Sequence, residues 1–371
     1  MNHNIKRSTL LTMTLLLHAA LWATGSIRPG QLWPDTQGQH INAHGGGVLI
    51  YQNKYYWFGE YKSDNTSSAL VGVTCYSSSD LTHWRNRGIA LSVSTEPGSE
   101  IERGCIIERP KVIYNPNTKK FVMWFHLELK DQGYRAARAA VAVSDKVTGP
   151  YHFVRSQRVN AYYWPADFSR ADITALDTLD ATRYRQWWTP EWRRAIAQGL
   201  FLKRDYSGGQ MSRDMTLFVD DDGKAYHIYA SEDNLTLHIA QLNSDFTAHN
   251  GRYVRVAAGG QNEAPALFKH QGKYWMITSG CTGWDPNEAR MFSADSLFGP
   301  WTQHPNPCVG PNAKLTFGAQ GTYVLRDLTG RYIFMADIWR PSLPSDARYV
   351  WLPIAFEGGV PVIRWVDEWQ P

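Results

Sequence analysis

Cysteine is scarce and unclustered in this chain. Its 371 residues include four, Cys75, Cys105, Cys281 and Cys308, and none pair at CxxC spacing. That excludes the common zinc and dithiol motifs and leaves room for one or two disulfides. No metal or other cofactor is expected. Charge of one sign is also lacking, since 38 Lys and Arg against 34 Asp and Glu leave a formal charge of +4. The basic residues are scattered, so nucleic acid is not an expected partner. Long apolar runs are absent beyond the N-terminus. There, Lys6 and Arg7 precede an apolar run from Leu10 to Trp22 that ends in small residues near Ala23-Thr24-Gly25, the pattern of an export signal. No later stretch approaches the roughly 20 apolar residues of a spanning helix. No Cys follows the run to carry a lipid. The expectation is a signal peptide over residues 1–25, one domain over 26–371 with no membrane anchor, and a periplasmic or secreted location.

Aromatic residues are abundant instead, with 16 Trp and 19 Tyr. Such rings pack β-rich cores and also stack on the apolar faces of sugars. Their arrangement repeats. A short apolar strand, a Gly, Asn or Asp turn and an aromatic strand recur from Gly45, Pro110, Met215, Pro265 and Gly321. The aromatic strands are Tyr55-Tyr56-Trp57-Phe58, Phe121-Val122-Met123-Trp124-Phe125, Ala225-Tyr226-His227-Ile228-Tyr229, Tyr274-Trp275-Met276-Ile277 and Tyr332-Ile333-Phe334-Met335. Gly149-Pro150-Tyr151 and Gly299-Pro300-Trp301 end two copies alike. A period of this length means blades or solenoid turns. Hairpin punctuation predicts four-stranded antiparallel blades, hence an all-β, five-bladed β-propeller. Helix-like text at about 160–208 breaks the period and reads as an insertion between blades two and three. Its Trp164, Trp187, Trp188 and Trp192 either overhang a cleft or anchor the insertion.

Innermost propeller strands converge on the axis, so polar residues at their starts are candidates to share one pocket. Blade by blade these are Gly45, Glu108, Asp214, Glu263 and Gln320. Clustered carboxylates repel, and at least one pKa rises. Glycoside hydrolysis needs such a protonated carboxyl to meet the leaving oxygen. Asp220, Asp221 and Asp222 read instead as a hairpin turn.

These residues resemble glycoside hydrolase family 43, whose members are five-bladed propellers acting with inversion. Ser212-Arg213-Asp214 looks like the motif whose Asp tunes the acid, and Asn262-Glu263-Ala264-Pro265 looks like the acid motif. The family's blade-one His-Asp-Pro is replaced by His44-Gly45-Gly46, so the usual base has no carboxylate here. That departure resembles the branch containing exo-β-1,3-galactanases, as do Trp57-Phe58-Gly59-Glu60, Glu108-Arg109-Pro110-Lys111, Gly283-Trp284 and Trp339-Arg340-Pro341-Ser342. The resemblance implies Glu263 as general acid and Asp214 as its tuner. Gln320 and Glu108 hold the water, and either takes its proton. Inversion asks for about 6.5 to 9.5 Å between the acid and the group holding the water. Trp284, Trp339, Arg340, Glu60, Lys62 and His44 are the expected sugar contacts. The implied partner is a plant-type or microbial polysaccharide or oligosaccharide, cleaved at terminal galactose of β-1,3-galactan or arabinogalactan side chains. An exo-furanosidase acting on galactofuranose or arabinofuranose is the rival, and a non-catalytic carbohydrate-binding propeller the alternative of another class.

Overall fold

A computed structural model describes residues 25–371. The expected leader, Gly25 apart, lies outside the described residues. Five sheets follow one another along the chain, antiparallel but for one edge strand of the fifth. Blade one holds β1 (His44–Tyr51), β2 (Lys54–Glu60), β3 (Gly72–Ser78) and β4 (Arg85–Ser92). Blade two holds β5 (Ile106–Asn115), β6 (Lys120–Glu128), β7 (Arg138–Ser144) and β8 (His152–Gln157). The insertion follows, with helices α1 (Arg170–Ala175), α2 (Pro190–Gln198) and α3 (Leu200–Arg204). Blade three holds β9 (Met215–Val219), β10 (Ala225–Ser231), β11 (Thr236–Leu242) and β12 (His249–Val256). Blade four holds β13 (Glu263–His270), β14 (Lys273–Ser279), β15 (Arg290–Ala294) and β16 (Thr302–His304). Blade five runs through β17 (Cys308–Val309), β18 (Gln320–Arg326), β19 (Tyr332–Ile338), β20 (Arg348–Glu357) and β21 (Val360–Arg364), with β17 added parallel to β21. The chain is a five-bladed β-propeller.

The aromatic strands read as continuous apolar runs because both faces of each blade are covered. Alternate side chains of a strand point to opposite faces. In β6, Met123 and Phe125 pack toward blade one, while Val122 and Trp124 pack toward blade three. In β14, Tyr274 and Met276 meet blade three, and Trp275 and Ile277 meet blade five. The last interface, between blades five and one, is filled by Trp57, Trp84 and Trp351 with Ile27 and Ile41 from the segment before β1. Ile27 also exchanges backbone hydrogen bonds with Trp369 at 2.8 and 3.1 Å, tying the two ends of the described chain together. No disulfide contributes, since all four cysteines are free thiols. Among the described residues no helix is long and apolar enough to cross a membrane.

The insertion has its own small core of Leu176, Trp192, Ile196, Leu200 and Phe201, which also takes in Leu235 of blade three. Trp192 is buried there, with Trp187 stacked on it at 5.2 Å, and Trp164 stacks on Tyr206 at 4.0 Å. Trp192 and Trp164 anchor the insertion, whereas Trp187 and Trp188 are exposed at its surface, and none of the four lines the catalytic pocket.

Candidate active site

One device recurs at the start of the inner strands. The pairing register breaks just inside β1, β5 and β13, between His44 and Gly47, Glu108 and Lys111, and Glu263 and Ala266. Gly45, Arg109 and Ala264 sit at these bulges with φ of +60°, +56° and +50°. A bulge re-aims the neighbouring side chain, and here it turns the strand starts of blades two and four toward the axis. Register corrects one sequence-based alignment. His44 pairs with Glu60 as Glu108 pairs with His126 and Glu263 with Ser279. His44, not Gly45, therefore occupies the position equivalent to the two glutamates.

A pocket of about 350 Å³ opens at this mouth of the axis, lined by Glu60, Lys62, Glu108, Asp214, Glu263, Gln320, Trp284 and Trp339 among others. Eight of the ten expected site residues are thus brought together. Arg340 is not among them. It faces the adjoining groove, where it shares a wall with Trp284 and Trp339, and it pairs with Asp346. His44 is the other exception, fully buried and stacked on Tyr349 at 5.2 Å. It cannot touch a sugar, because the bulge at Gly45 turns it into the blade.

Arg109, the bulge residue of blade two, holds the walls together. Its backbone N–H donates to Glu60 Oε1 at 2.8 Å, and its guanidinium pairs with Asp214 Oδ2 at 2.8 Å while also reaching Gln320 Oε1. Asp214 Oδ2 accepts the Ala264 N–H at 3.1 Å, tying blade three to the residue after Glu263. Gln320 is fixed on both sides of its amide. Trp339 Nε1 donates to Oε1 at 2.9 Å, and Nε2 donates to Ser279 Oγ at 2.9 Å. Trp284 and Trp339 meet edge to face at 5.7 Å.

The carboxyls are held in different states. Burial, reinforced by the charge of Asp214, pushes Glu263 up to about 7, against Arg109, the Cys281 thiol and Asn234, which oppose the rise. Burial also acts on Glu108, but His126, Lys62 and Tyr134 outweigh it and hold that carboxyl at about 2. His126 lies 3.0 Å from Glu108 and 2.9 Å from Glu128, and these two carboxylates overcome its burial and raise it to about 9. Glu60 is driven upward by burial, with Lys62 ion-paired to it as the main opposing charge. Two carboxyls pushed apart in this way mark an acid and an ionised partner.

Glu108, His126 and Asp214 bring three potential ligand atoms within 4.8 Å of one another. The donor set does not suit a cation. The His126 imidazolium has a carboxylate at each nitrogen, and Asp214 is paired with Arg109.

Sequence reasoning missed four contributors. Arg109 and His126 are buried charges that stand in the text as ordinary strand residues. Tyr134 Oη donates to Glu108 at 2.6 Å, and Asn234 Nδ2 donates to Glu263 at 2.7 Å, both from loops between strands. Only Arg109 carried a signal, within Glu108-Arg109-Pro110-Lys111.

A partly buried carboxyl near neutrality, facing fixed carboxylates in a pocket on a propeller axis, is the site of a glycoside hydrolase. The comparisons agree. The pattern of glycosyl hydrolases family 43 matches residues 188–335. The solved GH43 β-1,3-galactosidase BT3683, bound to galactodeoxynojirimycin, is 58% identical over 93% of this chain and 100% of its own, with a TM-score of 0.91. The GH43 β-1,3-galactosidase BT0265 is 36% identical over 93% of this chain and 63% of its own, with a TM-score of 0.77. An exo-β-1,3-galactanase from Phanerochaete chrysosporium, solved with β-1,3-galactotriose, is 34% identical over 94% of this chain and 68% of its own, with a TM-score of 0.74. Curated proteins give no significant match. The chain belongs to glycoside hydrolase family 43.

Proposed function

We propose that this protein is an exo-acting, inverting glycosidase that releases terminal galactose from β-1,3-galactan or arabinogalactan side chains. The observation that carries the reading is Glu263, a carboxyl at about 7 in a pocket of about 350 Å³. That volume is at the small end of ligand sites, ~300–1,000 Å³, and suits a chain end better than a chain interior. The galactose specificity is supported by the 58% identity to a β-1,3-galactosidase solved with galactodeoxynojirimycin.

In the mechanism, Glu263 gives its proton to the glycosidic oxygen as the C1–O bond breaks. A water held by Gln320 and Glu108 bonds to C1 from the opposite face. Gln320 Oε1 already accepts N–H groups from Arg109 and Trp339, which oppose a proton on that oxygen and so disfavour the imidic tautomer. We assign the proton of the water to Glu108, which is ionised at any pH well above 2 and, held there by His126 and Tyr134, is a weak base that takes the proton only as the O–C1 bond forms. Burial, reinforced by the charge of Asp214, keeps Glu263 protonated up to about pH 7. The export pattern at residues 1–25 extends the reading to a periplasmic or secreted enzyme.

The test is a substrate panel of β-1,3-galactobiose with nitrophenyl galactopyranoside, galactofuranoside and arabinofuranoside, with the first-formed anomer read by NMR. α-Galactose appearing first from the β-1,3 substrate is expected. β-Galactose first, or turnover of the furanosides alone, overturns the reading.

A further inference from the structure

The insertion contributes no wall to the catalytic pocket, whose lining passes from Tyr134 directly to Arg213. It reaches the chemistry through one turn. Glu232, Asp233 and Asn234, between β10 and β11, lie at φ of +52°, +56° and +63°. Three successive non-glycine residues in the left-handed region persist only where the surroundings impose that conformation. Here each is held from outside the turn.

Glu232 is fully buried, and its carboxylate takes Arg255 Nε and Nη2 at 2.7 and 2.8 Å, with His238 Nε2 at 3.0 Å. The same guanidinium donates to the carbonyls of Ile196 and Ala197, at 2.8 and 2.9 Å, near the C-terminal end of α2. Asp233 receives Arg204 Nη1 at 2.6 Å from the end of α3, and Arg204 is itself oriented by Asp205 at 2.7 and 2.9 Å. Leu235, the next residue, is buried in the insertion's core with Trp192 and Leu200. At the far side of this clamp Asn234 Nδ2 donates to Glu263 Oε1 at 2.7 Å.

We propose that the helical insertion is a positioning device for the general acid: through Arg204, Arg255 and Leu235 it locks the Glu232–Asn234 turn so that Asn234 presents its amide N–H to Glu263. Asn234 and Arg204 are positioning residues of the reaction. The inference rests on the reading of Glu263 as the acid. It has a titration consequence. The groups that face Glu263 are Asp214, Arg109, the Cys281 thiol and Asn234. A donor to the carboxylate stabilises its ionised form. Losing the Asn234 donor therefore raises the pKa of Glu263, and the alkaline limb of the pH–rate profile moves to higher pH.

The experiment compares Asn234→Ala, Arg204→Leu, Arg204→Lys, Asp233→Asn and Glu263→Gln in the full chain. Each is assayed for kcat/KM across pH on β-1,3-galactobiose, whose leaving sugar needs the acid's proton, and on dinitrophenyl galactopyranoside, whose leaving group scarcely does. Asn234→Ala is expected to lower kcat on the disaccharide by about tenfold, a fraction of the roughly 10²–10⁴-fold a general acid supplies, with a much smaller loss on the aryl substrate and an upward shift of the alkaline limb. Arg204→Leu and Asp233→Asn follow in the same direction with smaller effects, and Arg204→Lys, which keeps the charge but not the fork, falls between Arg204→Leu and the wild type. Asp233→Asn keeps the test alive if Arg204→Leu does not fold. If Glu263→Gln is inactive on the disaccharide while Asn234→Ala, Arg204→Leu and Asp233→Asn keep the wild-type alkaline limb and substrate ratio, the positioning proposal falls and the acid assignment stands. If Glu263→Gln retains disaccharide activity, the acid assignment itself fails.

Discussion

Blades one and four begin with the same backbone and opposite chemistry. Gly45 and Ala264 occupy matching bulges, yet the preceding residue is Glu263 in the pocket for blade four and His44 inside the blade for blade one. What fills the blade-one side of the pocket is Glu60, from the end of the neighbouring strand β2. A Cβ placed on Gly45 would come within 2.4 Å of Glu60 Oε1. The site therefore has a carboxyl at blade one after all, supplied from a different strand and neutralised by Lys62. A repeating fold fixes where side chains can enter a pocket. Which strand fills the place is a separate matter of packing.

The largest test of this contrast pairs the matched positions. Glu263→Gln is expected to lower kcat/KM on β-1,3-galactobiose by about 10²–10⁴-fold, the usual share of a general acid. His44→Phe at the equivalent position should alter chiefly the thermal midpoint, since His44 touches Tyr349 and not the pocket. Comparable losses of activity in both variants would break the contrast. Next in size is Gly45→Asp, which restores the family's blade-one carboxylate. A non-glycine residue at this φ costs about 1–2 kcal/mol, and its side chain must displace Glu60. Lower stability in thermal melts and at least about a tenfold loss of kcat/KM are expected, whereas a gain in rate would show that Glu60 is a poor substitute. The smallest effect concerns Asp214→Asn. Asp214 raises the pKa of Glu263, so its neutralisation lowers that pKa and moves the alkaline limb of the pH–rate profile from about 7 toward more acidic values. That sign is opposite to the one expected for Asn234→Ala.

The propeller was legible because each blade buries both faces of its aromatic strand. A strand such as Phe121-Val122-Met123-Trp124-Phe125 must then be apolar at every position, and five such runs with hairpin turns admit few other arrangements. Glu108, Asp214, Glu263 and Gln320 were legible for a related reason, since they stand at strand starts that converge on one axis. Asn234 and Tyr134 were not, because they reach Glu263 and Glu108 from loops whose path depends on what packs beneath them. His44 was misplaced by a single residue. A bulge inserts one residue into one strand of a pair, so spacing counted along the text aligned Gly45 with Glu108 where the ladder aligns His44.

The sequence by itself determined the blade count, the antiparallel strands and the insertion, because periodicity and turn chemistry act over short stretches of chain. Only the tertiary structure decided that Glu60 stands beside Gly45, that Arg109 joins Asp214 to Gln320, and that the insertion packs against the turn carrying Asn234 rather than forming a pocket wall. Those outcomes depend on which charges are buried together. Burial is a property of the packed blades and is written in no local pattern of residues.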